Sequence, residues 1–162
     1  EKLNIILMYT RIYTSKADPS LTHHEMIDML ENARVFNKKN DITGCLLYHE
    51  GTFIQLIEGK RIVVQQLYER ILEDRRHHDI TSLFSGSSSQ RLFENWYMIY
   101  EEIDSFSNVA HKKQGMFRKI ISETNMIPNL SGSPYFIFWK YANLILRDEY
   151  TPIRPTPVLQ VF

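Results

Sequence analysis

The sequence predicts an α+β fold over residues 3–103, and three observations predict it. Segments rich in β-branched and aromatic residues alternate with helical periodicity in the order β-α-β-β-α-β-β. A capping-box sequence opens the first helix, and a short Gly-containing turn joins two of the strands. Two helices over one face of a sheet, with repeated βαβ-like halves, form the ferredoxin-like plan. Helices of a separate C-terminal region are expected beyond it.

The elements follow in order. Leu3 to Ser15, rich in Ile, Leu, Tyr and Thr, reads as the first strand. Thr22 and Glu25 have the spacing at which a hydroxyl caps a helix and a carboxylate answers it. That helix runs to about Asn37, with Met26, Leu30, Ala33 and Asn37 on one stripe. Ile42 to Tyr48 and Thr52 to Glu58 are strands joined by a turn at His49-Glu50-Gly51. Val63, Val64, Leu67, Tyr68, Ile71 and Leu72 form the inner side of a second helix that ends near Asp74. Asp79 to Phe84 and Trp96 to Tyr100 are the last strands of this region, and the small polar stretch Ser85 to Gln90 reads as a loop between them.

Composition changes after residue 103, which sets the expected domains at 1–103 and 104–162. Val109 to Thr124 suggests a third helix. Ser133-Pro134 starts a fourth, since serine caps and proline suits the first turn. Its Tyr135, Phe136, Phe138, Trp139 and Tyr141 are too many aromatics for one core stripe and predict a sheet-covering or intermolecular contact. Thr151 to Phe162 is expected to be extended.

Of 162 residues, 19 are Lys or Arg and 19 are Asp or Glu, so net charge is zero and nonspecific binding to nucleic acid or an anionic membrane is disfavoured. The single cysteine, Cys45, forbids an intrachain disulfide and makes a cytoplasmic setting the default. No apolar run reaches the roughly 20 residues that span a bilayer. Adjacent His pairs lack the spacing of helical metal sites, so no metal is expected.

Gln55 is the most informative residue. It shares a strand face with Phe53 and Ile57, and a buried amide must find partners or cost about 1–3 kcal/mol. Asn37 places a second amide on an apolar helix stripe. Tyr13 adds a phenol, and Trp96 and Met98 share a face of the last strand. This set does not suit acid–base catalysis. It suits a flat heteroaromatic ligand whose edge both donates and accepts hydrogen bonds.

At these residues the sequence resembles the BLUF family of flavin-based blue-light sensors, over roughly residues 3–103. Asn37 followed by Ile42-Thr43-Gly44-Cys45-Leu46-Leu47-Tyr48 is similar to its asparagine and I-T-G-x-L-x-Y strand. Phe53 to Gly59 resembles F-x-Q-x-x-E-G, Asp74 to His77 resembles D-x-R-H, and Phe93 to Met98 resembles F-x-x-W-x-M. Each motif is weak alone; together, in order and at family spacing, they are specific.

The resemblance implies roles. Tyr13 would be the electron and proton donor to excited flavin. Gln55 would bridge that phenol to the flavin, and Asn37 would hold the ring edge. Met29 and Ile71 would sandwich the ring between the helices, while Arg70, Asp74 and Arg76 would meet the ribityl chain and phosphate of FAD or FMN. Trp96 and Met98 would compete for the space beside Gln55 and relay its rearrangement. Two departures stand out: Phe36 replaces a frequent second polar residue, and Arg11 replaces an apolar one. The latter leaves Tyr9 as an alternative photoactive phenol.

The implied function is a photoreceptor with no catalytic domain in this chain, signalling to a partner protein or through homo-oligomerisation. Its rivals are the sensory part of a light-regulated nucleotide cyclase or cyclic-dinucleotide phosphodiesterase, and an RNA-binding module. The latter is disfavoured by neutral charge and the absence of an aromatic RNP strand. An acylphosphatase-like enzyme lacks its Arg-Asn phosphate cradle here.

Overall fold

The computed structural model describes residues 8–94, 99–102, 133–147 and 149–151. Its elements are β1 (Met8–Ala17), α1 (His23–Lys39), β2 (Thr43–His49), β3 (Thr52–Gly59), α2 (Arg61–Leu72), β4 (His77–Ser88), β5 (Ile99–Glu102) and α3 (Pro134–Leu146). The five strands form one sheet in the order β4-β1-β3-β2-β5. All neighbours are antiparallel except β2 and β5, which run parallel from Cys45 opposite Ile99.

Alternation along the central strands divides the protein into two cores. Tyr9, Tyr13, Leu46, Phe53 and Ile57 point to the face covered by α1 and α2, where they meet Met26, Leu30, Val64 and Tyr68. Ile12, Cys45, Leu47, Ile54 and Leu56 point the other way and pack against Phe138, Trp139, Ala142 and Ile145 of α3. The aromatic excess of the last helix therefore covers the sheet. Ser133 caps α3 by accepting from the Phe136 N–H, and Pro134 takes the first position, as its sequence predicts.

The Thr22–Glu25 capping box forms in both directions. Between β2 and β3 the turn is Glu50-Gly51 alone, with φ of 44° and 78°; His49 belongs to the strand. Positive φ at both turn residues matches the right-handed twist of the flanking strands. Gly44 is required for a different reason: a Cβ there would lie 2.0 Å from the Leu56 carbonyl oxygen.

Ser85–Ser88 is a correction to the sequence reading. It is the end of β4, paired with Met8–Arg11 of β1, and not a loop. Small residues are acceptable because β4 is an edge strand, and the Ser85 hydroxyl is tied to Tyr9 Oη at 2.5 Å and Arg11 Nη1 at 3.2 Å. Residues 3–7, Trp96 to Met98, the expected helix at 109–124 and the tail from 152 lie outside the described residues. On the α3 face, Thr14 Oγ1 and Tyr150 Oη lie 2.6 Å apart, which ties β1 to the segment after α3.

Candidate functional site

A cavity of about 280 Å³ opens between α1, α2 and the sheet. Its walls are apolar: Met29, Leu30 and Ala33 come from α1, Leu67 and Ile71 from α2, and Leu46 and Phe53 from the sheet. Helical spacing places the α1 set on one stripe, and the same stripe continues to Asn37. Asn37 is 1% exposed and lines the cavity.

The sheet contributes a phenol and a second amide. Tyr13 and Gln55 are both buried, both line the cavity, and the Tyr13 hydroxyl donates to Gln55 Oε1. Burial raises the Tyr13 pKa above the ordinary phenol value, helped by the neighbouring Tyr68 and Asp74. The phenol is therefore neutral and poised to donate. Tyr9, the alternative phenol, does not line the cavity; its hydroxyl is engaged by Ser85, which lowers its pKa.

At the cavity mouth, Arg76 Nε and Nη2 grip the Asp74 carboxylate, the latter at 2.5 Å. Arg76 holds the Asp74 carboxyl below its usual range, and Asp74 raises the guanidinium in return. Arg76 Nη1 has no hydrogen-bond partner among the described residues. The Arg70 guanidinium lies over the Phe36 ring, 4.8 Å from its centroid, which links α2 to α1 at the cavity edge. The aromatic departure at residue 36 thus gives Arg70 a cation–π seat.

The structure gathers Tyr13, Asn37, Gln55, Met29, Ile71, Arg70, Asp74 and Arg76 around one cavity. Trp96 and Met98 lie outside the described residues. Sequence reasoning missed three polar lining residues, Ser15, Asn32 and His77. His77 Nε2 donates to the Ile71 carbonyl at 2.8 Å, so Nδ1, also at 2.8 Å, faces the Ser15 hydroxyl as an acceptor when the ring is neutral. The signal was present in the D-x-R-H resemblance, whose histidine had no assigned role.

The donor set fits a flavin. Two apolar helix faces suit the faces of a planar ring, two amides suit its alternating carbonyl and N–H edge, and a guanidinium at the mouth suits a phosphate.

Comparison with known proteins agrees. The family model for sensors of blue light using FAD matches residues 8–99. The chain is 31% identical over 86 residues to photoactivated adenylate cyclase subunit alpha of Euglena gracilis, covering 53% of this chain and 8% of that protein. It is also 31% identical over 87 residues to the blue light- and temperature-regulated antirepressor BluF of Escherichia coli (strain K12), covering 54% of this chain and 22% of the relative. The match thus spans less than a quarter of either relative's length. Among solved structures, the photo-activated state of BlsA is similar at 28% identity with a TM-score of 0.62, covering 90% of this chain and 99% of that one. No helix among the described residues is long and apolar enough to cross a membrane.

Proposed function

This chain belongs to the BLUF family, sensors of blue light using FAD, and on that premise we propose that Tyr13 and Gln55 are its light-responsive pair. The observation that carries the proposal is a buried phenol bonded to a buried amide on the wall of an apolar cavity. Asn37 and Gln55 hold the polar edge of the cofactor, Met29 and Ile71 its faces, and Arg70, Asp74 and Arg76 its ribityl chain and phosphate.

Bound FAD supplies blue-light absorption and, once excited, a strong one-electron oxidant. Loss of an electron acidifies the Tyr13 phenol, and its proton moves along the existing bond toward Gln55 Oε1. When electron and proton return, Gln55 is left rotated or tautomerised, with donor and acceptor ends exchanged. Such a local change matters at a distance only through an element with two arrangements that fit Gln55 differently. Trp96, Met98 and β5 form that element in this reading.

Residues 1–103 constitute the photosensor, and 104–162 carry the response to a partner protein or to a second copy. The chain performs no catalysis of its own and works in the reducing cytoplasm, where the buried Cys45 stays a thiol. A second reading, the sensory part of a light-regulated nucleotide cyclase, is favoured by the Euglena match, which spans a small part of a cyclase subunit. The full-length reading frame separates the two.

An absorption spectrum before and after blue light tests the function. Protein incubated with FAD is expected to be yellow and to show a reversible red shift. Colourless protein that takes up no FAD refutes the proposal.

A further inference from the structure

The sheet holds a carboxylate that this photochemistry does not use. Glu58 is fully buried at the end of β3, three residues beyond Gln55 and on the opposite, α3 side. It accepts the backbone N–H of Leu92 at 2.9 and 3.0 Å, the N–H of Phe93 at 2.6 Å, and the Thr43 hydroxyl at 3.1 Å. Burial raises its pKa above the usual carboxylate range, while these donors and Arg91 pull the other way.

The neighbouring Arg91 reaches outward in the other direction. Its Nη1 donates to the Asp41 carbonyl at 3.1 Å and to Thr43 Oγ1 at 2.9 Å, and Nη2 pairs with Asp41 Oδ2 at 3.0 Å. Asp41 stands at φ 53° in the turn between α1 and β2, and that turn hangs from the Asn37 carbonyl, which accepts the N–H groups of Asn40 and Ile42. The connector from β4 to β5 is therefore fastened twice. Glu58 joins it to the strand of Gln55, and Arg91 joins it to the turn that follows Asn37.

Resting on the light-responsive role of Gln55 given above, we propose that the Glu58–Arg91 clasp is a positioning element that couples the two cavity amides to β5. Hydrogen bonds to a carboxylate are short and directional, so a displacement of β3 is passed to the connector backbone. An apolar contact at the same place would slide.

The test uses the full chain loaded with FAD. Glu58→Gln keeps the shape and one acceptor but sets an amide NH2 against the Leu92 N–H. Its Leu92 and Phe93 amides are expected to exchange hydrogen at least about tenfold faster in the dark. The light-induced red shift should persist, and the light-dependent change in exchange at residues 99–102 should fall below half of the wild-type change. Wild-type exchange at Leu92 and Phe93, or an undiminished light response at 99–102, overturns the proposal. Should Glu58→Gln fail to bind FAD, Arg91→Gln is measured instead: a full light response at 99–102 overturns the clasp, and a halved one supports it. A wild-type protein with no red shift refutes the light-responsive reading instead, and dark exchange at Leu92 and Phe93 still judges the clasp.

Discussion

Tyr13 and Gln55 are directly opposed partners in the β1–β3 ladder. Their side chains stand on the same face at adjacent strands, so the phenol and the amide are brought together by backbone pairing and not by a loop. Slipping that register by one residue would send one of the two to the α3 side. Precision at the site thus derives from the pairing of two adjacent strands inside the sheet.

Gln55→Leu is expected to retain FAD and lose the light-induced red shift, read by absorption before and after blue light. The substitution also strips the Tyr13 hydroxyl of its acceptor, at a cost of about 1–3 kcal/mol in unfolding free energy. A normal photocycle in this variant would refute the switch assignment.

Tyr13→Phe should abolish the shift, whereas Tyr9→Phe should preserve it. A second signature lies in alkaline stability. Because the folded-state pKa of Tyr13 is raised, its contribution is fully present below the unfolded value of about 10 and is lost as pH rises toward the folded one. Chemical denaturation between about pH 9 and 11 should show wild-type stability falling more steeply than that of Tyr13→Phe, by at most about 1.4 kcal/mol per pH unit.

Arg76→Ala should weaken FAD and FMN about tenfold and leave riboflavin, which lacks a phosphate, almost unchanged in equilibrium dialysis. Equal losses for all three ligands would argue against a phosphate contact. The Asp74–Arg76 pair itself adds little to stability, about 1 kcal/mol at most, because both side chains are partly exposed. Asp74 has a depressed pKa, so that contribution exists above the unfolded value near 3.8 and disappears as pH falls through the folded one.

Phe138→Ala, on α3, is expected to destabilise the protein by about 3–5 kcal/mol in urea denaturation while the FAD spectrum stays unchanged. The side chain is fully buried against the sheet face that the cavity does not use. A loss below about 1 kcal/mol would mean that α3 is not part of the core.

The sequence disclosed what periodicity and local chemistry control. Alternation placed Phe53, Gln55 and Ile57 on one face, helical spacing placed Asn37 among Met26, Leu30 and Ala33, and Thr22 and Ser133 marked helix starts. It hid what depends on tertiary context. Ser85–Ser88 looks like a loop because serine and glycine have poor strand propensity, yet pairing with β1 overrides that preference. Glu58 attracted no role, although it is the sole charged residue of β3. Its partners are backbone N–H groups some 35 residues away, and no side-chain pattern announces them. His77 was overlooked for a similar reason, since its acceptor is a backbone carbonyl.

Thr14 follows Tyr13 directly, yet its hydroxyl meets Tyr150 on the far side of the sheet. A single peptide link therefore separates the pigment chamber from the strap that trails α3. The sheet is a diaphragm one backbone thick, and neighbouring residues of β1 furnish one wall of each compartment.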